Sequence, residues 1–251
     1  MASHHELIDR MAEIDERLIA ANDERRHFHS AYLRSTRSVL AAAEAGDFLD
    51  AGWTERWGLA FAQLYMDAFV AFERGEETPG PWRVAFEVAR DPDITPFHHS
   101  LLGINAHINY DLPQAHLAVI SDEDFEDAEL IARRAADHDH VDEILVSRVR
   151  EEEALLARVE EPGDRTFVDR LMMPFNRRGT KVFLKDGRKK TWANTRILSA
   201  ARAAGPKAFQ AKLGELESLC QERIDDLVTP RFVIVHLALH GFGVELSETV
   251  S

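Results

Sequence analysis

Pro96-Phe97-His98-His99-Ser100-Leu101-Leu102-Gly103-Ile104-Asn105-Ala106-His107-Ile108-Asn109-Tyr110-Asp111-Leu112-Pro113-Gln114-Ala115-His116 is the stretch on which the reading of this chain turns. It is largely apolar, yet it holds four histidines, two asparagines and an aspartate. A polar group leaving water among Leu, Ile and Ala must find a partner, so this many of them mark either a polar core or a site. The spacing is helical. His107 and Asp111 are four apart and share a face, as do Asn105 and Asn109. Gly103 lies one turn before His107 and leaves room for a neighbour. Pro113 disfavours helical backbone at Leu112. The expected element is a helix from about His99 to Tyr110, with Asp111 at its end or capping the next.

A His-x3-Asp pair has three uses. It ligates a metal, because neutral imidazole and carboxylate both suit zinc. It acts as a general base whose tautomer the carboxylate fixes. Or it ties two helices together as a buried hydrogen-bonded pair.

Composition narrows the field. A chain of 251 residues fits one large domain or two small ones, and 45% hydrophobic residues are ample for a real core. The net charge of −14 argues against general nucleic-acid binding. Cys220 stands alone, so there is no disulfide framework and no Cys-based metal motif. No run reaches the roughly 18 apolar residues a membrane span needs. Met1-Ala2-Ser3-His4-His5-Glu6-Leu7 has no basic-then-apolar signal pattern. The expected setting is a reducing cytoplasm.

The rest of the chain reads as helices. An apolar stripe of Leu7, Ile8, Met11, Ile14, Leu18 and Ile19 predicts one over residues 3–22. A second runs from about Asp23 to Ala45 and stops at Gly46. A third, from about Ala51 to Arg74, carries Trp53, Trp57, Phe61, Tyr65, Phe69 and Phe72, which are expected to line an apolar pocket. A short helix from about Trp82 to Arg90 precedes the central stretch. Ser121 is placed to cap the helix after it. The polar cluster Asp137-His138-Asp139-His140-Val141-Asp142-Glu143 reads as a solvated turn between helices. Its His138 and Asp142 repeat the i, i+4 spacing and are alternative metal ligands. Asp164 is placed to cap a helix ending near Phe175.

A basic island follows. Between Arg170 and Arg202 there are ten Lys or Arg, Arg177, Arg178 and Lys181 among them, against one acid, Asp186. It reads either as a charge-balancing face or as an attractor for an anionic substrate. Asp186-Gly187 is a turn signal, so a small hairpin near 181–190 is one expectation and a loop before a helix from about Thr191 is the other. The final apolar run around Phe232–Leu239 reads as a buried helix or strand, with His236 and His240 on one helical face. There is no phosphate-binding Gly-rich loop, nucleophile elbow or internal repeat.

Asp47-Phe48 with Trp53, Phe61-Ala62-Gln63-Leu64-Tyr65, and above all the Asn-Ala-His-Ile-Asn-x-Asp-Leu core at 105–112, resemble a family of unknown function found mainly in actinobacteria. The resemblance covers most of the chain and implies a fold and a site, without a reaction. A weaker one reaches further. His107-x3-Asp111-x4-His116 followed by His138-x3-Asp142 is similar to the ligand pattern of the all-helical zinc-dependent phospholipase C and single-strand nuclease superfamily. Here the Asp111–His116 interval is one residue short, and no N-terminal tryptophan ligand is present. That resemblance implies a reduced site of one divalent metal such as zinc, or none.

These readings converge on one all-α domain, residues 1–251, of about nine or ten helices, with a His/Asp site at its centre. The candidate catalytic residues are His107, Asp111, Asn105 and Asn109. The candidate metal ligands are His99, His107, Asp111, His116, His138 and Asp142. The candidate substrate contacts are Tyr65, Arg177, Arg178, Lys181, Trp192, His236 and His240. The expected function is an enzyme acting on an anionic or ester-bearing small molecule, by metal-dependent hydrolysis or without metal. The alternatives are a metal-free cyclase or isomerase of specialised metabolism and a non-catalytic helical binding or scaffold protein. No membrane insertion and no nucleic acid are expected.

Overall fold

Local rules set most helix ends. Ser3 opens α1 (His4–Ala20) with a reciprocal cap: its hydroxyl accepts the Glu6 N–H at 3.2 Å, and its own N–H donates to the Glu6 carboxylate at 2.7 Å. α2 (Arg26–Ala45) and α3 (Ala51–Arg74) each end on a left-handed glycine, Gly46 at φ 81° and Gly75 at φ 68°. Asp50 caps α3 by accepting the Trp53 N–H at 3.0 Å. Proline in the first turn starts α4 (Gly80–Val88) and α5 (Pro96–Ile104). α6 (Leu112–Val119), α7 (Ala128–Val159), α8 (Thr180–Ala204) and α9 (Pro206–Val228) complete the helices of this computed structural model, which describes residues 3–91, 94–159, 180–228 and 241–248. The fold is all-α, with no strand among the described residues. None of their helices is long and apolar enough to cross a membrane.

The central stretch departs from a plain helix. Between α5 and α6 the chain makes a π-helical turn, Asn105–Asp111, without leaving the helix path. Pro113 accounts for it. Proline has no N–H to close an α-helical bond, and its ring would strike the carbonyl of Asn109 four residues back. A wider turn relieves both, and such π turns recur at functional sites. This turn is the hub of the molecule: α3, α4, α5, α6, α8 and α9 all pack on it.

The main core joins Leu7, Met11 and Leu18 of α1 to Tyr65 and Phe69 of α3, Trp82 and Phe86 of α4, and Leu102 of α5. A second core gathers Trp53, Trp57, Leu112, Ile120, Ile131 and Val141, and a third Tyr110, Leu198, Leu216, Cys220, Val244 and Leu246. Burying each large apolar side chain contributes roughly 1.5–3 kcal/mol. Gly103 is where α2 comes closest: a Cβ there would lie 2.3 Å from the Phe28 ring.

Two expectations are corrected. The polar cluster at 137–143 is not a turn but the middle of α7. Its first carboxylate, Asp137, is buried and accepts the Leu49 and Asp50 N–H groups, each at 2.7 Å, tying the α2–α3 loop to α7. The polarity serves a distant loop that local sequence does not reveal. Likewise, no hairpin forms at 181–190, which lies inside α8. Asp186 accepts from the backbone N–H groups of Phe242 and Gly243 and meets the Lys190 ammonium at 3.2 Å. Gly187 lets that C-terminal segment come close. The proposed cap at Asp164, its helix, and the apolar run at 230–239 lie outside the described residues.

The C-terminal segment, residues 241–248, is an extended strap held by two asparagine side chains that imitate a strand neighbour. Asn109 donates to Phe242 O at 3.1 Å and accepts from Val244 N–H at 3.3 Å. Asn194 donates to Val244 O and accepts from Leu246 N–H, both at 2.9 Å.

Candidate functional site: a buried His–Asp pair on an apolar cavity

The π turn brings His107 Nδ1 to 3.0 Å from Asp111 Oδ2, both side chains 3% exposed or less. The same oxygen accepts the indole N–H of Trp82, 2.8 Å away on α4. Trp82 only donates, so Oδ2 offers it a lone pair whichever group of the pair holds the proton. With Asp111 as carboxylate, His107 carries its proton on Nδ1 and turns a bare Nε2 away. Burial drives the His107 pKa well below its ordinary value and the Asp111 pKa well above, the Trp82 hydrogen bond opposing the second shift. Burial thus disfavours the charged form of each partner.

Rings fix the imidazole. Phe61 lies flat on it, centroids 3.6 Å apart and planes within 8°, and Tyr32 meets it edge-on at 4.2 Å. Nε2 is buried and has no hydrogen-bond partner among the described residues. His107 forms part of the wall of a cavity of about 250 Å³ between α2, α3, α5, the π turn and α7. The wall is mainly apolar and aromatic: Phe28, Tyr32, Val39, Leu40, Trp57, Phe61, Ile104, Leu112 and Val141. Among the described residues that line it there is no Lys or Arg, and the acid there is the exposed Glu55. Two further lining residues, Thr54 and Trp57, have a buried polar atom without a partner, Oγ1 and Nε1.

A second polar group adjoins the cavity, and its His138 is one of the lining residues. His116 and His138 are both fully buried, with ring centroids 4.8 Å apart. Trp192 stacks on His116 at 4.4 Å, with Trp57 on the same ring at 5.6 Å. The Thr195 hydroxyl donates to Thr191 O at 2.8 Å and so accepts from His116 Nδ1 at 3.2 Å. That fixes the His116 proton on Nδ1. Asp142 is partly buried one turn after His138.

The other predicted residues scatter. His99 stands over a separate small void with Phe28, Trp82 and Gly103, its ring parallel to His27 at 6.3 Å. Asn105 and Asn109 bond each other at 2.9 Å, and their remaining bonds go to Cys220 O and the strap. Both amides therefore brace the π turn. Tyr65 is fully buried, its hydroxyl 2.7 Å from His29 Nδ1, while His29 Nε2 donates to Met11 O. Since a carbonyl only accepts, Tyr65 is the donor in that pair. Arg177, Arg178, His236, His240 and the side chain of Lys181 lie outside the described residues.

Among the described residues, no three His, Cys, Asp or Glu side chains converge as a metal requires. Asp111 Oδ2 already takes two N–H groups, and His116 sits in a different cluster from His107.

Sequence reading missed Trp82, the partner that orients Asp111, because nothing in a 29-residue separation signals it. It also missed Tyr32 and Thr54, which helical periodicity alone assigns to a core face. No curated protein and no solved structure matches the chain. A family model matches residues 4–230, and the chain thus belongs to the family of unknown function DUF5995.

Proposed function

We propose that the cavity is a small-molecule site in which His107 moves a proton through Nε2, held and electrostatically balanced by Asp111. The chemistry is metal-free acid–base catalysis, of the isomerase or cyclase kind, on an uncharged and largely apolar molecule. One observation carries this reading: a buried imidazole with one nitrogen held by the Asp111 carboxyl group, and the other without a partner among the described residues, in the wall of an apolar cavity. A buried polar atom is ordinarily hydrogen-bonded, as both ring nitrogens of His29 are. The absence of Lys and Arg among the described lining residues favours a neutral molecule over the anionic one expected from the basic island.

The proton accounting is simple. Nε2 takes a proton from an acidic C–H or O–H of the bound molecule. The Nδ1 proton shifts to Asp111 Oδ2, or the carboxylate balances the imidazolium. Returning the proton at another atom completes an isomerisation. In either case the charge stays within a pair already shielded by Phe61 and Tyr32.

A neutral, flat carbon acid tests this without knowledge of the natural substrate. 5-Nitrobenzisoxazole opens to a coloured phenolate when a base removes its single reactive proton. The protein should turn it over, and His107→Gln should lower the rate by about 10²-fold or more, the usual worth of a positioned base. The active form is the neutral imidazole. Because burial lowers the His107 pKa, the rate should hold as pH falls below the ordinary 6.5 and drop only further down. A wild-type rate no greater than that of His107→Gln contradicts the proposal and leaves a binding role.

A further inference from the structure

We propose that Thr54 and Trp57 form an acceptor-binding subsite of this cavity, and that the ligand is a flat, uncharged, largely apolar molecule carrying a carbonyl-type oxygen. The inference rests on the reading of His107 as the group that meets the ligand, and adds what the other part of the cavity recognises.

The two residues are one turn apart on α3 and both line the cavity. Trp57 stacks on Phe61 at 6.2 Å, and Phe61 stacks on His107, so the subsite is one ring beyond the proton-transfer position. Thr54 is 2% exposed and Trp57 3%, yet Oγ1 of the first and Nε1 of the second have no partner among the described residues.

The Thr54 hydroxyl is an exception in this molecule. Helical hydroxyls here commonly bond the carbonyl four residues back: Ser35 to Ala31, Thr36 to Tyr32, Ser100 to Pro96 and Thr195 to Thr191. Thr54 has the Asp50 carbonyl at the same offset, but only its backbone N–H uses it. A hydroxyl that forgoes this bond beside a cavity is available to a ligand.

The chemistry of the two groups selects the ligand. The indole N–H only donates and the hydroxyl can donate, so each suits an acceptor. A carboxylate or phosphate would find no Lys or Arg among the described lining residues, and Glu55 stands at the cavity. A cation would find no buried carboxylate among the described lining residues, and Asp111 behind His107 is already engaged by Trp82 and His107. The aromatic walls, Phe28, Tyr32, Trp57 and Phe61, suit a flat ring.

Three probes of one shape decide it, titrated into the full chain and followed by ligand-observed NMR: naphthalene, 2-acetylnaphthalene and 2-naphthoate. The ketone should bind about tenfold more tightly than naphthalene, the order expected for one well-made hydrogen bond. The carboxylate should bind no better than naphthalene. Thr54→Val and Trp57→Phe keep shape and remove one donor each. Both should erode the advantage of the ketone while retaining naphthalene binding, with melting curves confirming the fold. Equal affinity of ketone and naphthalene means that water fills the subsite and overturns the proposal. So does an advantage that survives both variants, tightest binding by the carboxylate, or no binding of any probe. The same titrations on His107→Gln separate the two ideas. Retained discrimination together with absent 5-nitrobenzisoxazole turnover in the wild type refutes the role of His107 alone, whereas turnover without discrimination refutes the subsite alone.

Discussion

Replacing Asp111 separates its two duties, holding the fold and tuning His107. Its Oδ2 accepts from Trp82 Nε1 at 2.8 Å and faces His107 Nδ1 at 3.0 Å. Leucine has the same branched shape and no acceptor, so Asp111→Leu leaves the Trp82 N–H and His107 Nδ1 without partners in a buried setting. Each orphaned group costs about 1–3 kcal/mol, which gives a loss of about 2–6 kcal/mol for the two. Moving the His107 proton to Nε2 does not help, because Nδ1 is then an orphaned acceptor. Asparagine behaves differently. Trp82 only donates, so the amide must turn its oxygen to the shared position, and that oxygen also accepts from His107 Nδ1–H. Both bonds survive, a buried ionisable group disappears, and Asp111→Asn should stay within about 1 kcal/mol of wild type. Urea unfolding at pH 7, with slopes checked for constancy, measures both. Turnover of the carbon-acid probe should still fall in Asp111→Asn, because an amide cannot balance an imidazolium. A leucine variant as stable as wild type, or an asparagine variant as weak as leucine, would refute the reasoning.

Two further outcomes follow from the same structure. Burial lowers the pKa of His29, His98, His99 and His107, so below the ordinary value of 6.5 the unfolded chain binds protons that the folded chain refuses. Their contribution to stability is present above pH 6.5 and is lost as pH falls; Asp111, with its raised pKa, opposes this by favouring the fold at low pH. The melting temperature should therefore drop between pH 7.5 and 5.5, and a flat or rising profile would contradict the histidine assignment. Asn194→Ala removes two bonds to the strap, at about 1 kcal/mol each. Limited proteolysis should then cut within 241–248 sooner than in wild type, and an unchanged digestion pattern would mean that Asn194 does not hold the strap.

The residues that were legible in the sequence act over one turn. The pairing of His107 with Asp111, and of Asn105 with Asn109, follows from i, i+4 spacing and survives the change from an α to a π turn. Gly46 marks the end of α2 as expected. What escaped depends on distant chain. Asp137 is polar because the 49–50 backbone needs an acceptor, and Asp186-Gly187 stays helical because the strap docks on it. The asparagines of the central motif looked chemical because their backbone partners, Cys220 O and residues 242–244, lie more than a hundred positions away. The same holds for Trp82, which has no signal in the spacing around Asp111 and yet orients it.

The proton on His107 tests the central claim most directly. In protein labelled with ¹⁵N-histidine, with the His107 resonances assigned by their loss in His107→Gln, a spectrum at pH 7 distinguishes protonated from bare ring nitrogens. The account predicts a neutral ring with its proton on Nδ1, a bare Nε2, and a shift of the Nε2 resonance when 2-acetylnaphthalene enters the cavity. A doubly protonated ring, or an Nε2 resonance unmoved by a probe that binds, would contradict it.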